Sequence, residues 1–189
     1  MNKFHQFQKD IFSKHVAEIV LPLPDGVMFS TGAVIHKALP VPLIFETGYS
    51  MQEPPTAILS NRIPVLSDAL IKALQEAGVS NLQCFPAEVS SSVDGTVWKN
   101  YQAVNVIGLI ACADLEKSKY IIIADRCGEG AVPLMGFKKL KVDPVRARDQ
   151  LFFRLAEEPS TIIVSGRVVE YLRTLKSTRE WGLTLDEKS

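Results

Sequence analysis

From Ile63 to Val89 the spacing of apolar and polar positions changes twice. Ile63, Val65 and Leu66 form a short apolar run. Ala69, Leu70, Ala73, Leu74 and Ala77 then recur at helical spacing, with Lys72, Gln75 and Glu76 turned towards water. Leu82 to Val89 returns to strand alternation, with Leu82, Cys84 and Pro86 on one face and Phe85 on the other. The boundaries carry their own chemistry. The Ser67 hydroxyl can accept from an unpaired N–H at the helix start. Asp68 favours the positive end of the helix dipole, and Gly78 supplies the left-handed residue that ends a helix at little cost. The stretch predicts strand, Ser-capped helix and strand in immediate succession.

The same order returns near the carboxyl end. Ile162, Ile163 and Val164 lead into Ser165, then Val168, Val169, Leu172 and Leu175, and finally Trp181, Gly182, Leu183 and Leu185. Ser165 stands 98 residues after Ser67, and at that offset Val168, Val169 and Leu172 fall on Leu70, Ile71 and Leu74. An internal duplication accounts for this, and so does chance recurrence of serine before an apolar helix. Between the two units, Tyr101 to Ala113 is the longest strand expected. It is apolar on both alternating faces and so central and covered on both sides. Asn105 inside it needs hydrogen-bond partners. Asp114 caps a turn over Leu115 to Ser118, and Tyr120 to Ala124 reads as a continuous apolar strand. Leu134 to Val142 reads as a strand with exposed lysines, Asp143 to Gln150 as a connector or short helix, and Phe152, Phe153 and Leu155 as a strand. Arg154, set among those apolar residues, is expected in a partly buried ion pair of structural character.

At the amino end, Phe4, Phe7, Ile11 and Phe12 have helical spacing and predict a short amphipathic helix within residues 1–15. Val16 to Leu23 and Val27 to Phe29 read as strands around a Pro22 to Gly26 turn. From Ala38 to Pro55 a proline-rich belt, with a short strand at Leu43 to Phe45, is expected to wrap the core in extended form, because proline cannot donate to an interior ladder. The fold class is α+β: a mixed or largely antiparallel sheet with two Ser-capped helices from related strand-helix-strand units packed on it. Residues 1–59 form N-terminal strands and a proline-rich wrap, and residues 60–189 an α+β domain, in one continuous globular unit.

At 189 residues and 47% hydrophobic content, the chain has enough apolar mass to bury a full core. Basic and acidic side chains balance at 21 each, so overall charge gives no pull towards nucleic acid or membrane. Their distribution is uneven: residues 1–130 carry a net −3 and residues 131–189 a net +3, an asymmetry that orients a partner. Cys84, Cys112 and Cys127 are far apart, with no CxxC, which argues against a disulfide framework or metal site. Cys84 and Cys112 read as small buried hydrophobes and Cys127 as exposed. His5, Lys9, Asp10 and Lys14 interrupt the apolar residues at the start, unlike a signal peptide, and the run from Ala103 to Ala113 is shorter than the roughly 20 residues a membrane helix needs. The expectation is a soluble cytoplasmic protein.

Chemistry is sparse. His5, His15 and His36 are the only imidazoles, and no serine or cysteine sits in a nucleophile motif such as GxSxG. Asp125, Arg126, Cys127, Gly128, Glu129 and Gly130 form a charged loop after an apolar strand, a placement suited to a small ligand, yet the GxGxxG fingerprint is missing and an ordinary turn is the favoured reading. Asp114, Glu116 and Ser118 need no metal beyond their capped turn. Lys138, Lys139, Lys141, Arg146 and Arg148 concentrate positive charge in eleven residues without the interleaved aromatics of a nucleic-acid site. They suit docking onto an acidic protein surface. With Asp125, Arg126 and Glu129 they make up the candidate partner-binding residues. No catalytic, metal or cofactor-binding residue is assigned.

The blocks IPVLSDALIKALQEAGVSNLQCFPAEV, YQAVNVIGLIACADLEKSKY and LFFRLAEEPSTIIVSGRVVEYLRTL, closed by WGLTL, together resemble a family of bacterial immunity proteins from polymorphic toxin systems, the eleventh such family and formerly a domain of unknown function. The resemblance covers roughly residues 60–187. It implies a non-catalytic protein that neutralises a cognate toxin by direct contact, without nucleic acid, membrane or cofactor; self-association is left open. The family's recurring residues are caps, turns and core, so no binding residue carries over. Lys176, Ser177, Thr178 and Arg179 depart from the family pattern, which has a glycine after the second helix. The second reading is an enzyme or small-ligand-binding module that uses the Asp125 to Gly130 loop with His36.

Overall fold

A computed structural model describes residues 3–126 and 131–188. In chain order the elements are β1 Phe4–Lys9, β2 Ala17–Ile19, β3 Leu43–Thr47, β4 Ile58–Ser60, β5 Val65–Ser67, α1 Asp68–Glu76, β6 Leu82–Ser91, β7 Val97–Val106, β8 Leu109–Ile110, β9 Lys119–Ala124, β10 Leu134–Lys139, α2 Pro144–Ala147, β11 Phe152–Leu155, β12 Ile162–Ser165, α3 Gly166–Leu175, α4 Thr178–Trp181 and β13 Leu183–Glu187. Among the described residues they form a six-stranded sheet in the order β2, β3, β6, β7, β5, β4, a five-stranded sheet in the order β13, β1, β12, β11, β8, and a ribbon of β9 and β10. Two pairs are parallel, β3 with β6 and β8 with β11, and the others are antiparallel. The chain is α+β with mixed sheets.

The two strand-helix-strand units have the same topology. In the first, β5 and β6 flank α1 but are not neighbours, because β7 pairs antiparallel with both. In the second, β12 and β13 flank α3 and are separated in the same way by β1. The next strand outward is β4 beside β5, and β11 beside β12, each the strand that leads into its unit. The inserted strand comes from opposite sides of its unit in the sequence: β7 follows the first unit, whereas β1 precedes the second. Ser67 and Ser165 have nearly superimposable backbone angles, φ −68° and ψ 150° against φ −70° and ψ 149°. Only the Ser67 hydroxyl accepts from the third helical N–H, that of Leu70, at 3.3 Å. The Ser165 hydroxyl is buried without a partner.

One face of each sheet and both long helices share an apolar layer. Leu70, Ile71, Ala73 and Leu74 of α1 meet Val168, Val169 and Leu172 of α3, with Val104 and Val106 from β7, Phe152 from β11, Ile162 and Val164 from β12, and Phe7 from β1. Phe7 and Phe152 stack edge to face at 5.0 Å across this layer. On α1 the buried stripe includes Ile71 and leaves Ala69 exposed, a rotation from the expected face that the larger side chain's burial favours. Behind the six-stranded sheet, Phe45, Val65, Ala87, Val89, Tyr101 and Ala103 pack against Phe29 and flanking residues of the N-terminal wrap. Asn105, fully buried, donates to the Ala33 carbonyl at 2.8 Å and to Gln83 at 3.0 Å, and Gln83 in turn bonds both backbone groups of Ile35. These bonds satisfy the Asn105 amide nitrogen, though not its buried Oδ1, and fasten the wrap to the sheet. Behind the five-stranded sheet, Phe4, Phe153, Leu155 and Ile163 pack on Cys112, Leu140, Val142 and Ala147.

Several sequence expectations are overturned. Residues 4–9 form β1, between β12 and β13, instead of a helix: pairing on both edges decides the backbone, and alternation then sends Phe4 and Phe7 to opposite faces while Ile11 and Phe12 stay exposed. Val27 to Phe29 has no strand pairing, and Phe29 is buried as part of the wrap. The stretch from Tyr101 to Ala113 is not one strand. β7 ends at Val106, the backbone turns at Gly108 with φ +113°, and β8 joins the other sheet. Asn81 holds this crossing: it donates to the Ile107 carbonyl and, at 2.7 Å, to the Phe152 carbonyl, while its own carbonyl accepts from the Ile107 N–H at 2.9 Å. Among the described residues Arg154 has no carboxylate partner. It is fully buried, donates to the Pro159 carbonyl at 2.7 Å, and burial lowers its pKa to about 10. The missing glycine after α3 is explained by an added turn. Ser177 and Glu180 form a capping box for α4, and Gly182 at φ +70° ends that turn instead.

Two measurements check this account. Chemical denaturation of Ser67→Ala should show a loss of about 1 kcal/mol, the usual worth of a helix N-cap, whereas Ser165→Ala should be nearly neutral because its hydroxyl caps nothing. Asn81→Ala should cost about 2 kcal/mol or more, since two carbonyls at the sheet crossing lose their donor.

Candidate partner-binding face

The cationic residues singled out in the sequence fall on a continuous stretch running from the end of β10 through α2. Lys138 and Lys139 close β10 and are exposed. Lys141 is half-buried, its N–H bonded to the Ser118 hydroxyl at 2.9 Å, and Asp114 N–H donates to its carbonyl at 2.8 Å. Asp143 caps α2 through Val145 N–H at 2.8 Å and pairs with Arg146 at 3.4 Å. Proline at the first position of α2 suits a helix start that has no use for that N–H. Arg148 ends the helix at φ +51° and is exposed. A bridge between Ala113 and Val142 lays the 109–118 segment alongside, so the cations border exposed apolar groups, Leu109, Leu115 and Val145. An open cleft of about 530 Å³ there is lined by Leu109, Ile110, Val145, Arg146 and Arg148.

Asp125 and Arg126 lie at the opposite end of the ribbon from Lys119, Lys138 and Lys139, since β9 and β10 pair Lys119 with Lys139 and Ala124 with Leu134. Arg126 donates to the Ala156 carbonyl at 3.4 Å. Cys127, Gly128, Glu129 and Gly130 lie outside the described residues, so the loop reading and the exposure of Cys127 are not decided by the structure. Asp125 and Arg126 are thus set apart from the α2 cations. Sequence reasoning missed the ribbon itself. Tyr120 to Ala124 was expected as a strand and is one, yet every residue of β9 is exposed. A run of isoleucines signals burial from sequence, and nothing local reveals that β9 pairs with β10 alone among the described residues.

The histidines are dispersed. His5 is buried in β1, His15 stacks edge on with Tyr49 at 5.2 Å, and His36 is exposed on the wrap. None of the three described clefts is lined by a histidine, Asp125 or Arg126. Burial pushes the His5 pKa below 6.5, opposed in part by Glu187. Cys84 is half-buried and Cys112 fully buried; both are free, and burial pushes the Cys112 thiol up to about 12, far from a reactive thiolate.

A family model, the Immunity protein family (Imm11), matches residues 36–187. The chain belongs to this family. Its function is immunity, and a toxin is the partner that membership implies. No curated protein matches the chain. Membership speaks for a non-enzymatic role. No helix among the described residues is long and apolar enough to cross a membrane.

The His5 environment gives a pH test. A lowered folded-state pKa means that the unfolded chain binds the proton more readily, so stability holds above pH 6.5 and declines as pH falls below it. Urea midpoints followed between pH 6.5 and about 5 should drop in the wild type and change less in His5→Gln.

Proposed function

We propose that this protein neutralises its toxin by direct, non-catalytic contact in the cytoplasm, using the cationic and apolar face around α2 and the end of β10. The observation that carries this reading is family membership over residues 36–187. The face supports it through composition: Arg146 and Arg148 line one cleft with exposed Leu109 and Val145, and Lys138, Lys139 and Lys141 lie just before them in the chain, a combination of charge and apolar surface that suits fast encounter and a slow off-rate. The toxin surface that fits it is acidic with an apolar centre. Asp125 and Arg126 stand at the far end of the ribbon from this patch, and together with Glu129, which the sequence sets beside them, they would form the edge of a wider contact. In this reading the fold offers a rigid surface, and protection comes from covering the toxin's working site.

Co-expression with the toxic product of the gene adjacent to this one is the decisive test. The wild type should restore growth and co-purify with that product. Lys138→Glu with Lys139→Glu, or Arg146→Glu with Arg148→Glu, should slow association about tenfold or more at low salt and lose most of that difference at high salt, by stopped-flow or surface plasmon resonance. Protection by a chain that never binds the toxin would reject the reading.

A further inference from the structure

Among the described residues, no strand pairs with the outer side of β9. Among the described residues its backbone pairs only with β10, and Ile121, Ile122 and Ile123 are 69%, 57% and 60% exposed. β10 is anchored from its far side, where Met135 N–H donates to the Glu157 carbonyl at 2.7 Å. Free sheet edges are normally protected by proline, by charges within the strand or by bulges. Of the ribbon's two register shifts, the one at Phe137/Lys139 has its extra residue, Lys138, on β10, and the one at Leu134/Met135 has its extra residue, Ile123, near the end of β9. Between Lys119 and Asp125 the β9 edge has only Tyr120, Ile121, Ile122, Ile123 and Ala124, with no protecting charge or proline.

The two ends of that edge specify what covers it. Lys119 opens β9 and Asp125 follows it, and neither is in an ion pair among the described residues. Two copies laid antiparallel about Ile122 set Lys119 opposite Asp125, Tyr120 opposite Ala124, Ile121 opposite Ile123, and Ile122 opposite itself. Every cross-strand pair is then apolar with apolar or cation with anion, and the twofold makes both charge pairs at once. Sliding the register by two positions in either direction sets Lys119 or Asp125 against an isoleucine, so the charges select one alignment. The cationic ends of the two ribbons, each carrying Lys119, Lys138 and Lys139, point away from each other in this arrangement.

We propose that β9 is the seam of a twofold homodimer, in which the ribbons of two copies join into a four-stranded antiparallel sheet in the order β10, β9, β9, β10. The dimer covers the isoleucine edge and takes Asp125 out of the margin of the toxin contact, while the central α2 face lies outside the seam, so the inference goes beyond the proposed toxin contact and does not depend on it.

Sedimentation velocity at about 0.2 mM, above the micromolar dissociation constants of modest interfaces, should find the wild type dimeric. Lys119→Asp places like charges opposite Asp125, and Asp125→Lys places like charges opposite Lys119. Each should weaken the dimer about tenfold or more, and the double variant K119D/D125K should restore it. Under oxidation Ile122→Cys should form a disulfide-linked dimer that the wild type does not, because only residue 122 faces itself. Circular dichroism confirms that the variants remain folded, as expected for exposed positions. A monomeric wild type at that concentration overturns the proposal, and so does a dimer that both single charge changes leave intact. If the wild type is monomeric and Ile122→Lys abolishes toxin binding, the edge belongs to the toxin and the homodimer is rejected. The toxin reading is judged separately, by the Lys138, Lys139, Arg146 and Arg148 variants.

Discussion

The apolar layer shared by the two sheets is the constraint to which the rest of the structure answers. Each sheet must bury one face there, and neither can do so alone: Val104 and Val106 come from one, Phe152, Ile162 and Val164 from the other, and α1 and α3 fill the space between their contributions. Their opposite faces then need covers of their own. The N-terminal wrap supplies one and the segments around Leu140 and Ala147 the other. A chain of this length reaches three apolar layers only by having strands that are buried on both sides, as Phe152 and Phe153 on β11 illustrate by facing different layers.

The crossing at Ile107 and Gly108 makes the arrangement possible. A continuous strand from Tyr101 to Ala113 would keep one sheet and leave the other without β8. Gly108 takes a backbone angle that side-chain-bearing residues avoid. Asn81 meets the hydrogen-bonding needs that open at the break, reaching Ile107 on one side and Phe152 on the other. A polar side chain with no apparent task in the sequence thus ties the two sheets together. Arg154 is the opposite case, a buried cation held by a backbone carbonyl with two of its nitrogens unpartnered.

The surface divides into parts with different chemistry. The α2 face combines cations with isolated apolar groups, a composition suited to a protein partner. The β9 edge is nearly free of charge along its length and is bounded by one cation and one anion. In the readings proposed above, the first meets a partner of complementary charge and the second a strand with its own pattern reversed. Both surfaces lie apart from the core, because caps, turns and packing residues fix the fold while the exposed positions remain free of that task.

Sequence alone determined the elements whose signals are local. Ser67, the apolar stripe of α1 and Gly78 act within one or two turns, so the first unit was legible almost residue by residue, and the echo at Ser165 pointed to a second unit of the same topology. The family was legible too, because the order of several such blocks survives as text. Tertiary structure decided everything that depends on distant partners. Phe4 to Lys9 is a strand because β12 and β13 flank it, and the isoleucines of β9 are exposed because, among the described residues, β9 pairs with β10 alone. Helical spacing and apolar runs report what a segment would bury, whereas which segment arrives to bury it is set by pairings between residues far apart in the chain.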